Sequence, residues 1–335
     1  MAEYRMSRVL IWLSAAAGLL FCLAISLGTG AFPLTLTQMI GLVFNPEVTT
    51  QPPQLAVVFW QIRLPRVLAA LLIGAGLSAA GAAYQGIFRN PLVSPDILGV
   101  AAGAGLGASL AIWLAMPMMI VQLLAFIGGL LTVTFSSLIA GTVRRHDAVL
   151  SLVLVGMAMA SLCGAAISLI KIIADPYTQL ATITFWLLGG LSAITPDDLS
   201  VAAAGIISGL FPLLLLRWRI NLLSLPDEEA QSLGMNVSGL RVLFIVSATL
   251  VTASAVSIAG IIGWVGLVVP HICRLIVGAS YLRLLPASLY AGGIFLLLTD
   301  TLARSIGAIE LPLGILTSAV GAPFFLLLLL QGGRK

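Results

Sequence analysis

The sequence predicts an all-α polytopic membrane protein of about ten spans, on three observations. Sixty per cent of its 335 residues are hydrophobic and only 8% are charged, and the mean hydropathy is +1.14, values outside the range of a soluble chain of this length. The apolar residues come in runs long enough to cross a bilayer, which takes about 20 residues per helix because no water in the hydrocarbon can satisfy a bare backbone. The short alternating segments of a membrane barrel are missing. One transmembrane domain over residues 1–335 is expected.

The first span covers 9–30 behind Arg5 and Arg8; it is too long for a signal-peptide core and reads as a retained helix. Residues 31–58 form a linker with Pro33, Pro52 and Pro53, long enough for a short surface helix around Leu36 to Val43. The second span runs from about Arg66 to Phe88 and ends in the turn-rich 89–96 loop. Span three is 97–115 and span four 118–143, followed by Arg144-Arg-His-Asp147 and span five at 148–174. Residues 175–190 form an interfacial helix carrying Phe185 and Trp186. Span six is 198–216, span seven 240–260, span eight 261–278 with Pro270-His271 inside it, span nine 284–303 and span ten 313–330.

Between spans six and seven lies the one strongly polar stretch, with coupling helices expected at about 221–238. Asp227, Glu228 and Glu229 follow Pro226, as in the first turn of a short helix, where proline fits N1 and acidic side chains favour the positive end of the dipole. Gly234 then ends it, and Asn236-Val-Ser-Gly239 opens the next span.

Basic residues set the orientation. With the N-terminus inside, Arg5, Arg8, Arg89, Arg144, Arg145, Arg217, Arg219, Arg241, Arg274, Arg283, Arg334 and Lys335 are cytoplasmic, while Arg63, Arg66, Lys171 and Arg304 are outside. Both termini and the acidic loop therefore face the cytoplasm. Scattered between spans, these cations are topology signals and exclude nucleic acid as a partner. Runs such as Gly74-Ala-Gly-Leu-Ser-Ala-Ala-Gly81 and Gly99 to Gly107 let helices pack closely; the second is no nucleotide loop, having neither a preceding strand nor a following Lys-Ser/Thr. Arg66-Val-Leu and Arg241-Val-Leu echo each other, which suggests an inverted five-helix repeat.

Chemistry within the spans is sparse. Cys22, Cys163 and Cys273 stand alone in apolar runs and read as packing residues, without metal or redox work; His271 after its proline reads the same way. Asp300 and Arg304, four apart, are expected to pair, and Lys171 to snorkel outward. No catalytic residue is identified. A self-powered carrier keeps ionisable groups at mid-membrane, so the poverty of such groups points to energy supplied from elsewhere. An ion-coupled secondary transporter is the rival class; a respiratory-complex subunit is disfavoured by the lack of haem, quinone or proton-relay residues.

Glu229-Ala230-x-x-x-Gly234 resembles the cytoplasmic E-A-x-x-x-G loop of ABC-importer permeases. Gln61-Ile-Arg-Leu-Pro-Arg66, Arg89-Asn-Pro-Leu-Val-Ser-Pro-Asp-Ile-Leu-Gly99, Gly266-Leu-Val-Val-Pro-His-Ile-Cys-Arg274, Asp300-Thr-Leu-Ala-Arg304 and the 310–323 stretch resemble, in order and spacing from about residue 55 onward, the signatures of the FecCD/BtuC-like permeases for iron siderophores, haem and cobalamin. The resemblance implies a type II importer fold in the bacterial inner membrane. It also implies a homodimer in lipid, two ATP-binding cassette subunits below and a two-lobed periplasmic binding protein above. ATP and Mg²⁺ would sit on the partner subunit, with no cofactor on this chain. Asp227, Glu228, Glu229, Ala230 and Gly234 would couple to the ATPase, and outward-facing Arg63, Arg66 and Arg304 would receive acidic side chains of the binding protein. The fifth and tenth spans would line the pathway with Met159, Ser161, Cys163, Ser168, Thr317 and Ser318. A metal chelate is the expected cargo, with molybdate or tungstate as the alternative.

Overall fold

The structure, a computed structural model, describes residues 2–30, 32–44, 53–142, 148–307 and 309–332. Arg144, Arg145, Arg334 and Lys335 of the predicted inner set lie outside these residues. The helices in chain order are α1 (Ala2–Gly28), α2 (Leu36–Phe44), α3 (Pro53–Val57), α4 (Leu64–Ile87), α5 (Val100–Trp113), α6 (Met118–Thr142), α7 (Ala148–Ile173), α8 (Gln179–Leu188), α9 (Pro196–Leu215), α10 (Arg217–Leu223), α11 (Asp227–Ser232), α12 (Val237–Ala259), α13 (Val265–Val277), α14 (Tyr281–Ala303) and α15 (Leu313–Gly332).

Among the described residues six helices are long and apolar enough to cross a membrane: Gln54–Ile87, Met118–Thr142, Val149–Ile173, Pro196–Leu215, Val237–Ala259 and Tyr281–Ala303. Shorter apolar helices occupy the other four predicted spans, at Ser14–Gly28, Val100–Trp113, Val265–Val277 and Leu313–Leu327, and α8 is the predicted interfacial helix. The second span starts earlier than expected. A π-helical turn over Val58–Arg63 joins α3 to α4 and admits Pro65 near the helix start, so that the backbone continues through both arginines.

Two helices form the interior. α4 and α12 are buried along most of their apolar length and meet where the Tyr84 hydroxyl and Thr249 Oγ1 lie 2.9 Å apart. They run antiparallel, since Arg89 after the C-terminus of α4 and Arg241 near the N-terminus of α12 reach the same carboxylate. Their surroundings repeat as well: α4 packs on α13 and α14, and α12 on α5 and α6. Such packing is what the inverted repeat suggested by the arginine echo would produce.

The half-length helices α5 and α13 both start inside the bundle, and each follows a turn that re-enters it. Pro95–Leu98 forms one 3₁₀ turn, ended by Gly99 at φ 82°. The other spans 260–264 and ends at Trp264, whose φ is 70°. Small residues make these approaches possible, as predicted. A Cβ on Gly81 of α4 would stand 1.8 Å from the Gly266 carbonyl oxygen of α13, and one on Gly74 would stand 2.2 Å from Gly292 O of α14.

Candidate functional site

One end of the bundle is built around α11. Pro226 is its N-cap, one position before the N1 place expected for it, and Gly234 ends it with φ 79° in the left-handed region that glycine tolerates. Asn236 then caps α12, its Oδ1 accepting from Gly239 N at 2.9 Å. Ala230 is buried against the body, while Glu228, Glu229, Gln231 and Ser232 are exposed beside Leu233, which is 64% exposed. An exposed apolar side chain following two exposed carboxylates suits a partner's groove better than water.

Of the residues expected to couple to the ATPase, Asp227 faces differently from Glu228 and Glu229. Its carboxylate turns back to the body and accepts from Arg241 Nη2 at 3.0 Å and Nη1 at 3.2 Å, and from Arg89 Nη2. Hydrogen bonds from Arg241, helped by the charges of Arg241 and Arg89, hold this carboxyl below the usual carboxylate range against a smaller opposing effect of burial.

At the opposite end of the bundle the three predicted docking arginines face into the protein. Arg63 and Arg66 are 5% and 7% exposed, and the Arg304 side chain 6%. Arg66 donates from Nε to Asp300 Oδ1 at 2.9 Å and from Nη1 to Glu310 Oε1 at 2.9 Å. The predicted Asp300–Arg304 pair is present, at 3.3 Å. Arg304 also donates to Ser26 O at 2.5 Å and Thr29 O at 2.6 Å, and Arg63 to Leu27 O at 2.5 Å and to Phe32 O. The cations thus satisfy the open carbonyls at the C-terminus of α1, where positive charge is favoured. Their guanidinium groups are spent on the chain itself, because a buried charge must be paired.

A third surface is the exposed stripe Leu154, Ala158, Ser161, Ala165, Ser168 and Ile172 on α7, at the spacing of one helix face. Ser161 and Ser168 belong to it, but each hydroxyl donates to the carbonyl four residues back, Met157 O and Gly164 O at 2.9 Å. Ser318 on α15 is exposed in the same manner, bonded to Gly314 O at 2.6 Å, and Met159 is half-buried. Thr317 and Cys163 do not line it. Thr317 is fully buried, and Cys163 is 5% exposed with its sulfur 3.8 Å from Thr132 Oγ1. One residue along a helix turns the side chain by about 100°, which separates Ser318 from Thr317.

Sequence reasoning missed Glu310 as the second partner of Arg66 and the pairing of Arg89 and Arg241 with Asp227. Nothing local marks the first, whose members are 244 positions apart. The second carried a weak signal, since both arginines were expected on the same side as the acidic loop, Arg241 next to it in sequence and Arg89 far from it. Among the described residues no group of three or more His, Cys, Asp or Glu side chains is placed to hold a metal ion.

The chain is similar to known proteins over most of its length. A relative from Helicobacter pylori, described as a probable iron chelatin transport system permease protein, is 46% identical over 279 residues, covering 83% of this chain and 83% of its own. The molybdate import system permease protein MolB of Haemophilus influenzae is 39% identical over 304 residues, covering 90% and 89%. A solved structure described as an inward-facing conformation of a metal-chelate type ABC transporter superposes with a TM-score of 0.86 at 36% identity, covering 96% of this chain and 99% of its own. The model of the FecCD transport family matches residues 18–331, and the chain belongs to that family.

Proposed function

We propose that this chain is the membrane-spanning permease subunit of a binding-protein-dependent ABC importer that carries a metal chelate inward, driven by ATP hydrolysis on a separate subunit. The exposed acidic and apolar face of α11, set at the inner ends of the two most buried helices, carries the reading. It offers an ATPase something to hold at the place from which the bundle is best moved. Arg89, Arg217, Arg219, Arg241, Arg274 and Arg283 cluster at this end, and Arg63, Arg66, Lys171 and Arg304 at the other, so the positive-inside rule puts α11 in the cytoplasm. α1 and α15 start and finish at that same end, which makes both termini cytoplasmic. The membrane is then the bacterial inner membrane, and the binding protein docks on the opposite, periplasmic side.

The exposed stripe of α7 and the surface of α15 around Ser318 supply the wall on which a second copy would close, with the pathway between the copies. From Leu150 to Ser168 that wall carries no ionised side chain, so a large chelate that buries its own metal charge passes it more readily than a bare oxyanion, whose desolvation nothing there offsets. The relatives named for iron chelatin and metal chelates support the same cargo. The MolB relative, similar over more of the chain, keeps molybdate as the second reading.

The test is uptake into proteoliposomes holding the complex with its cognate ATPase, loaded with ATP and supplied with the binding protein. A radiolabelled ferric chelate is expected to accumulate and excess molybdate not to compete. Accumulation by this chain alone from an ion gradient would overturn the proposal. Glu229→Lys is expected to lower ATPase association and uptake together by about tenfold or more, since it puts a like charge where a complementary one is required; unchanged association measured by co-purification would remove Glu229 from the docking face.

A further inference from the structure

We propose that Asp227 is a transmission residue and not a docking residue: it pins α11 to α4 and α12 at once, so that a displacement of α11 is passed to both central helices. The inference rests on the preceding proposal that α11 receives an ATPase subunit.

The geometry separates two roles within three consecutive carboxylates. Glu228 and Glu229 point outward, free for a partner. Asp227 points inward, and one carboxylate serves two guanidinium groups, Arg241 of α12 through Nη1 and Nη2 and Arg89, in the turn that ends α4, through Nη2. Arg89 is itself tied down, since its Nε donates to Leu223 O at the end of α10 at 3.0 Å and its backbone is held at φ 51°, a conformation that a non-glycine residue keeps only when its surroundings enforce it. α10 in turn is seated on the body by fully buried Ile220 and Leu223 and by Asn221 Oδ1, which accepts from Tyr281 N at 2.9 Å.

Without the pin, the following chain joins α11 to α12 only through Leu233-Gly234-Met235, where Gly234 has open space around it. A glycine hinge of that kind absorbs a push by changing φ and ψ. The carboxylate bridges the hinge. Its weak stabilising value is no objection: the Asp227 side chain is 42% exposed, and pairs of that exposure contribute little to folding. The arrangement therefore serves geometry more than stability, and a variant lacking it folds.

The experiment uses the full complex with its ATPase and binding protein in proteoliposomes, comparing Asp227→Asn, Asp227→Glu and Glu229→Lys for ATPase association, ATP hydrolysis and uptake. Asp227→Asn is expected to associate as the wild type does but to transport about tenfold less per ATP hydrolysed, a loss within the usual range of coupling between sites. Asp227→Glu is expected to recover most of that ratio. Two results would overturn the pin: uptake per ATP unchanged in Asp227→Asn, or association lost in parallel with Glu229→Lys, which would return Asp227 to the docking face. Failure of the underlying reading is distinct from both: the ATPase would then bind wild type and Glu229→Lys alike.

Discussion

Asp300→Ala is expected to leave little folded protein. Asp300 is fully buried and is the shared partner of Arg66 and Arg304, one from α4 and one from the end of α14. Removing one member of a buried ion pair strands a charge where water cannot reach it, at about 3–5 kcal/mol, and here two cations lose their partner together. Glu310 remains for Arg66, but its side chain is 47% exposed and its hydrogen bond goes to Arg66. Arg304 would be left with the neutral carbonyl and hydroxyl oxygens of Ser26, Thr29 and Thr301, so the grip on α1 loosens as well. Thermal unfolding followed by fluorescence-detected size exclusion in detergent is the measurement. A midpoint equal to wild type would remove the network from the fold's support. The same network changes what is expected of Arg66→Glu. Rim arginines would give a folded protein with weaker, salt-dependent binding-protein docking, whereas these buried positions give loss of protein that salt does not restore.

What the sequence made legible and what it hid follow from range. α2 was placed within a residue, and α11 with its glycine stop, because Pro226, Gly234 and Asn236 act on the backbone next to them. The Asp300–Arg304 pair was legible because four residues make one turn. Positive-inside counting divides the arginines into two sets, and the described ones of each set gather at one end of the bundle, but counting does not report which way a guanidinium turns. Arg63, Arg66 and Arg304 were read as facing outward, whereas they are turned into the chain, and apart from the Asp300–Arg304 pair the main partners that hold them are 31 to 278 positions away. The re-entrant turns at 95–98 and 260–264 were hidden for another reason. Apolar runs such as 97–115 and 261–278 have the composition of a span, and hydropathy does not report that a helix starts halfway across.

Gly81→Val is expected to be the most damaging single substitution of a small residue. The predicted glycine-rich packing has its closest point here: a Cβ on Gly81 would lie 1.8 Å from Gly266 O and 2.5 Å from its carbonyl carbon. Carbon needs about 3.5 Å in non-bonded contact, so α13 has to retreat by roughly 1.5 Å, and what it would move against is backbone with no rotamer to change. The displacement does not stop there. Gly266 is pressed against Pro95 of the opposite re-entrant turn, and Trp264, just before α13, packs on Gly321 of α15. Overpacking an ordinary core costs about 1–3 kcal/mol; with both re-entrant turns and the face of α15 displaced, Gly81→Val is expected to reach or exceed the upper figure and Gly81→Ala to fall within the range. Gly141→Ala, on α6 with nothing within 4 Å of the added carbon, is the control, expected to be neutral or to stabilise by about 0.5–1 kcal/mol through helix propensity. Thermal unfolding midpoints of the three purified variants decide the matter. If Gly81→Val melts with the control, then α4 and α13 are not in backbone contact, and the antiparallel core built on α4 and α12 has to be drawn again.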